Sequence, residues 1–224
     1  MIDGGSVDGA LEKIHAARLD NAVVLSEPDQ GLYDALNKGL ELAQGDVIGF
    51  LHADDFLADN SVLADVAARF DSSGNRIDAC YGDLVYVRHD NPACVVRYWK
   101  SNPYDPRRFY HGWMPPHPTF FARRRVYKQY GNFNLEMGTA ADYELMLRFL
   151  LKYGLVCRYI PRILVKMRTG GVSNASLANR LRAHSHDHRA WRVNGLRPAP
   201  WTLYLKPLSK IVQYLRPYST GRPL

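Results

Sequence analysis

Cysteine is scarce in this chain. Its three cysteines, Cys80, Cys94 and Cys157, are widely separated, odd in number and fit no zinc spacing, so they are expected to be reduced, mostly packed thiols. Long apolar runs are missing as well. No stretch approaches the roughly 18 consecutive apolar residues of a membrane span, and the opening residues carry neither the basic region nor the apolar core of a secretion signal. A cytosolic chain is the expectation. Acidic residues nearly vanish after Ser176, where Arg180, Arg182, Arg189, Arg192, Arg197, Lys206, Lys210, Arg216 and Arg222 face Asp187 alone. Upstream the two signs are close to balance. The net charge of +7 therefore sits in the tail, and a nucleic-acid groove across the whole domain is not indicated.

Apolar residues themselves are plentiful. At 46% hydrophobic and 12% aromatic over 224 residues, the chain can bury one sizeable core. Its first half alternates: a helical pattern over Leu11 to Leu19, a short strand over Ala22 to Leu25, a helix over Leu32 to Ala43 and a strand over Val47 to Leu51. A helix from Asn60 to Phe70 follows, then strand-like runs over Ala79 to Val87 and Cys94 to Trp99. Such alternation predicts a mainly parallel sheet covered on both faces, and sheets of that kind bind ligands at the carboxyl ends of their strands. One such end reads IGFLHADDF, where an apolar run stops on Asp54 and Asp55. Two carboxylates there hold a divalent cation through oxygen ligands; the plainer alternative is that Asp55 or Asp59 caps the helix that starts near Asn60.

Four segments carry a family resemblance. Asp3-Gly4-Gly5-Ser6-Val7-Asp8-Gly9, the run from Ser26 to Gly39 (SEPDQGLYDALNKG), Gly45-Asp46 and His52-Ala53-Asp54-Asp55 resemble family 2 glycosyltransferases in order and spacing, closest to bacterial members that build surface polysaccharides. The resemblance runs from Asp3 to about Ser173. It implies a GT-A fold, an α/β arrangement with a Rossmann-like sheet flanked by helices, over residues 1–175, with residues 176–224 as a basic helical extension. It also implies a nucleotide-sugar donor, transfer with inversion to a saccharide or lipid-linked acceptor, and a Mg²⁺ or Mn²⁺ ion against the leaving diphosphate. Asp54 and Asp55 are then the metal carboxylates. Relatives often show Asp-x-Asp here; His52 holds the first position instead, which leaves Asp54 as the matching last residue and His52 as a packing or supporting residue rather than a ligand.

Other residues acquire roles by the same resemblance. Asp3 is placed against the nucleotide base, where a carboxylate accepts the uracil N3 proton and so favours a uridine donor. Asp34 and Lys38, four apart on one helix face, are a surface pair or, by resemblance, donor contacts. Gly138 to Arg148 (GTAADYELMLR) matches the segment that carries the catalytic base, and the matching residue is Asp142, although Ala141 stands where many relatives have Glu. His117, held between Pro116 and Pro118, is an acceptor contact or a structural residue. Arg168 opens RTGGVS, a turn or a lid over the diphosphate with Arg168 pairing to phosphate oxygens.

Two features lie outside that frame. His184, His186 and His188 have no companion Glu or Cys that would complete a metal site, and read as part of a basic helical surface. The run Trp201 to Leu215 mixes aromatic, aliphatic and basic residues, which suits an anionic membrane interface or a packed terminal helix; Pro207 and Pro217 predict two short segments. Relatives also carry a strand and helix before the segment matching Asp3, so an upstream portion is expected. The rival readings are a noncatalytic nucleotide-sugar binder of the same fold, a basic nucleic-acid binder and a nucleotidyltransferase. The last usually carries a glycine-rich basic phosphate loop near its start, which is absent here.

Overall fold

The computed structural model describes residues 1–17, 19–72, 77–169 and 177–215. A two-stranded parallel pair, β1 (Ile2–Asp3) and β2 (Leu25–Ser26), flanks α1 (Ala10–Ala16). Then come α2 (Leu32–Leu42), β3 (Val47–Ile48), β4 (Asp55–Leu57) and α3 (Val62–Asp71). The long β5 (Ala79–Val87) and β6 (Val95–Trp99) lead through two short 3₁₀ turns, Pro106–His111 and His117–Thr119, to β7 (Phe121–Arg123) and α4 (Arg124–Tyr130). A further 3₁₀ turn, Leu135–Ala140, feeds α5 (Ala141–Met146), which continues as a π-helical stretch, Leu147–Lys152, before β8 (Cys157–Arg168). Two helices end the chain, α6 (Leu177–Val193) and α7 (Thr202–Leu215).

The α/β layering matches the expectation, but the strand directions do not read as mainly parallel. Among the described residues only β1 with β2 and β5 with β8 pair in parallel; β3–β7, β7–β5, β5–β6 and β4–β8 are antiparallel. Parallel pairing needs a long crossover, and the strands from β3 to β6 are joined by connections that reverse direction instead. The larger sheet runs β3-β7-β5-β8-β4, with β6 on β5.

At its centre β5 is buried on both faces, as its continuous apolar sequence requires. Asp83 is the exception within it. Its carboxylate accepts hydrogen bonds from Tyr98 Oη at 2.6 Å, Tyr159 Oη at 2.7 Å and the Ser101 N–H at 2.8 Å, which offset the cost of burying the charge. Gly82 beside it leaves room for β8: a Cβ there would meet Leu164 at 2.5 Å. Cys80 and Cys157 are buried free thiols, and burial pushes the Cys80 thiol up to about 12.

The C-terminal helices pack into this body. Trp191 is fully buried and donates its indole N–H to Tyr143 Oη at 2.9 Å. Asn194 Nδ2 donates to Glu144 Oε1 at 3.1 Å, and Glu144 in turn is paired with Arg148 at 3.0 Å. The expected division of the last segment at Pro207 does not occur. That residue lies inside α7, where a proline removes one backbone donor, and the inner face of the helix is anchored: Thr202 Oγ1 donates to the Tyr110 carbonyl at 2.7 Å, and the α7 backbone runs so close to Gly112 that a Cβ there would lie 2.4 Å from the Lys206 nitrogen.

Candidate functional site

The turn His52-Ala53-Asp54-Asp55 is closed by a hydrogen bond from the Asp55 N–H to the His52 carbonyl at 3.0 Å. It reverses the chain between β3 and β4, so the strand expected to reach Leu51 ends at Ile48 and Asp55 already belongs to the next one. Asp54 stays exposed, whereas Asp55 is 9% exposed and its Oδ2 is buried with no hydrogen-bond partner. Burial, with the Asp54 charge adding to it, pushes the Asp55 carboxyl up to about 6. An orphaned buried carboxylate oxygen beside a second carboxylate is a place a hard cation fits. Asp55 pairs in register with Met167, next to Arg168 at the end of β8. Arg168 leans over the Phe56 ring, 5.7 Å from guanidinium carbon to centroid, and its Nε is likewise buried and unpartnered.

On the other side of the turn, His52 lies within range of the Asp142 charge. Asp142 is the second residue of α5, and its Oδ1 accepts the Tyr143 N–H at 2.7 Å. The helix is entered through Gly138, held at φ 51 and ψ −127, where a Cβ would lie 2.9 Å from His186 Cε1; only glycine suits that combination. The Asp142 charge acts on three side chains from three other segments: Tyr33 of α2, His52 and His117. His117 is 6% exposed. Its ring stacks on Phe50 at 5.7 Å, meets Phe133 edge-on at 5.4 Å and stands 6.0 Å from the His52 ring. Burial pulls the His117 imidazole down to about 4, and its Nε2 is buried without a partner. His52 is also lowered, by burial, against the opposing pull of Asp142. Both rings are thus biased toward the neutral form.

The segments read as donor-facing are tied together by their own residues. Asp3 accepts hydrogen bonds from the N–H groups of Gly5 and Ser6 at 3.1 and 3.0 Å and from the hydroxyls of Ser6 and Ser26 at 2.5 and 2.6 Å. These bonds, that of Ser26 first, hold its carboxyl at about 2, so the group stays ionised and shapes the loop after β1. Lys38 reaches Glu27 at 2.8 Å, the Pro28 carbonyl at 2.8 Å and Asp34 at 3.7 Å. Asp34 accepts the Gln30 N–H at 3.0 Å. The Asp34–Lys38 pair therefore fixes the loop before α2 rather than decorating a surface.

Sequence reading missed the opposite face of α2. Tyr33 and Asn37 meet the segment after α4: Asn37 exchanges two hydrogen bonds with the Phe133 backbone, at 3.0 and 2.9 Å, and the Tyr33 ring lies 5.4 Å from that of Phe133. Their i, i+4 spacing was the available signal. Of the loop 168–173, residues 170–173 lie outside the described residues, as does the His184 side chain. Among the described residues no group of three or more His, Cys, Asp or Glu is arranged to hold a metal ion, so the Asp54–Asp55 pair would need a ligand's oxygens to complete a coordination shell.

Comparison with known proteins points one way. The model for "Glycosyl transferase family 2" matches residues 1–131. A PGL/p-HBAD biosynthesis glycosyltransferase of Mycobacterium bovis is 33% identical over 178 residues, covering 78% of this chain and 66% of the relative's own length. In fold, the chain is similar to Staphylococcus aureus TarS 1–349 in complex with UDP-GlcNAc, with a TM-score of 0.65 at 17% identity, covering 86% of this chain and 55% of that one. It is also similar to the mannosyltransferase PcManGT of Pyrobaculum calidifontis in complex with GDP-Man and Mn²⁺, with a TM-score of 0.57 at 18% identity, covering 92% and 58%.

Proposed function

Because this chain belongs to glycosyl transferase family 2 and has the GT-A fold, we propose that it transfers a sugar, with inversion, from a nucleotide-sugar to a saccharide or lipid-linked acceptor in polysaccharide biosynthesis. The observation that carries the reading is the turn at residues 52–55, which seats Asp55 on the sheet with its Oδ2 buried and unpartnered and sets the His52 ring 6.0 Å from that of His117. Acid–base and charge-holding groups are thereby brought to one end of β3.

Asp142 acts as the base. It takes the proton of the acceptor hydroxyl as that oxygen forms a bond to the anomeric carbon, while the bond from that carbon to the diphosphate oxygen breaks on the opposite face. Asp54 and Asp55 would hold Mg²⁺ or Mn²⁺, and the orphaned Asp55 Oδ2 is the atom that fits this role. When bound, such an ion supplies positive charge against the oxygens of the departing nucleoside diphosphate. Arg168 adds a guanidinium to the same charge. Asp3, Asp34 and Lys38 support the donor side; Asp3 braces the loop after β1, and as an ionised acceptor beside a base it would favour the uracil N3–H of UDP-sugars. The buried Nε2 of His117 is the polar atom that an acceptor hydroxyl or a bridging water would satisfy.

Thermal-shift and transfer assays with UDP-sugars and Mn²⁺ test this reading. UDP binding is expected to depend on Mn²⁺ and to weaken by about tenfold or more in an Asp54→Asn, Asp55→Asn double variant. Unchanged metal-dependent binding in that variant, folded, would sink the site assignment. A donor that binds and is never transferred or hydrolysed would identify a noncatalytic binder.

The lipid-linked class of acceptor draws support from α7. Its inner face is packed, but Trp201, Tyr204 and Leu208 are 53%, 68% and 53% exposed at i, i+3, i+7 spacing, with Arg192 and Arg197 exposed nearby. Among the described residues no helix is long and apolar enough to cross a membrane. An amphipathic helix of this kind lies in the interface, at about 1 kcal/mol for each basic residue near an anionic surface. Replacing Trp201, Tyr204 and Leu208 together with Ser should abolish flotation with anionic liposomes at low salt and leave nucleotide binding intact. Intact protein that ignores such liposomes defeats the membrane contact.

A further inference from the structure

We propose that Arg148 is a positioning residue: its guanidinium holds the helix of Asp142 and the segment that packs against His117 at one fixed spacing. The role takes the reading of Asp142 as the base and of His117 as the acceptor contact as its premise. All three nitrogens of the side chain are used. Nε and Nη2 donate to Glu144 Oε1 and Oε2 at 3.1 and 3.0 Å, the bidentate fit of a guanidinium to a carboxylate. Nη1 donates to the Tyr130 carbonyl at 2.5 Å, and Nη2 also to the Asn132 carbonyl at 2.6 Å. The Arg148 and Glu144 side chains are 12% and 4% exposed.

The chain is shaped to admit this fork. Gly131, between the two carbonyls, sits at φ 89, and a Cβ there would lie 2.8 Å from Nη1, so a side chain would both strain the backbone and crowd the guanidinium. A buried ion pair adds little net stability over apolar side chains of similar volume. What this one adds is direction: its bonds join α5 and the π-helical stretch that continues it to the residues that leave α4.

Both ends of the clamp stand next to site residues. Asn132 precedes Phe133, whose N–H donates to Asn37 Oδ1 at 2.9 Å and whose ring meets those of Phe50 and His117, each at 5.4 Å. Glu144 follows Asp142 by two residues on α5, and its Oε1 also accepts Asn194 Nδ2 at 3.1 Å. A shift at Arg148 therefore changes the distance between the rings around His117 and the helix that carries the base. A misplacement of about 1 Å can cost a reaction about 10²-fold.

Arg148→Lys keeps a positive charge opposite Glu144, but one ammonium cannot serve a carboxylate and two carbonyls in the geometry of the fork. A second variant, Glu144→Gln with Arg148→Met, removes the pair together and leaves no lone buried charge. The deciding readout needs no substrate: the ¹H resonance of the His117 Cε1 proton in the full chain, assigned by its loss in His117→Phe and displaced by the ring currents of Phe50 and Phe133. It should move in the folded variants, while UDP affinity with Mn²⁺ stays within a few-fold of the parent and UDP release from UDP-GlcNAc falls about tenfold or more. A resonance at the parent position in a folded variant overturns the proposal, as does failure of both variants to fold, or UDP affinity lost in step with turnover. Retained turnover in Asp142→Asn would remove the base reading alone, and the His117 shift would still report the coupling through Arg148.

Discussion

Asp142→Asn is expected to lower turnover by about 10²–10⁴-fold, the usual contribution of a positioned general base, while nucleotide-sugar affinity stays within a few-fold of the parent. The amide has the size of the carboxylate and keeps an oxygen to accept the Tyr143 N–H, which lies 2.7 Å from Oδ1. It cannot take up a proton at neutral pH. Folding should be spared, because the surrounding helix is held by other groups: Glu144 pairs with Arg148, and Tyr143 Oη accepts the Trp191 indole N–H. Isothermal titration with donor and a product-release assay separate the two quantities. Turnover within a few-fold of the parent would move the role elsewhere, with Asp29, whose carboxylate fills the space over Gly4, next to be tested.

The second large effect is a loss of stability in mild acid that belongs to His117. In the unfolded chain its imidazole takes up a proton near 6.5, whereas in the folded chain burial lowers this to about 4. Between those values the unfolded state binds the extra proton, so falling pH favours unfolding. Stability is full above about 6.5, declines as pH falls through the interval and levels off below about 4, with up to about 3 kcal/mol lost. His117→Phe keeps an aromatic ring between Phe50 and Phe133 and removes the unpartnered Nε2. Melting temperatures at pH 7.5 and 5 should therefore differ much less in the variant. His52, lowered in the same direction, leaves a residual slope. Equal pH dependence in the two proteins would show that His117 is not the group responsible.

The local setting of the candidate residues was partly legible because it depends on short-range patterns. The adjacent carboxylates after an apolar run, and an aspartate opening a helix, are short-range patterns; Asp142 does open α5, whereas the run before Asp54 leaves its strand at Ile48 and Asp55 starts the next one. Strand β5 was legible for a similar reason, since burial on both faces leaves a largely apolar run in which Asp83 is the one charge. The sheet's directions were not legible. Strand β8, the parallel partner of β5, carries Arg158, Pro161, Arg162, Lys166 and Arg168, and strand direction is set by connections that no short window contains. Tyr33 escaped because an aromatic on an amphipathic helix has the signature of core packing. Its ring does pack, against Phe133 from a segment far along the chain, which no local pattern announces. The continuity of α7 through Pro207 was likewise decided by tertiary anchoring at Tyr110 and Gly112.

The close fit of α6 and α7 behind the base helix bears on how such proteins can be recombined. Trp191 meets Tyr143, Asn194 meets Glu144, and Lys206 is paired with Asp187 while its ammonium sits 3.5 Å from the centre of the Tyr143 ring. A chimera that takes its last helices from another chain would seat a foreign surface against the wall that carries Asp142. Specificity could therefore not be swapped at a boundary near residue 176 alone. The donor of the graft would have to contribute its own counterparts of Tyr143, Glu144 and Gly112 together with the helices, so the two stretches behave as one heritable unit separated in sequence.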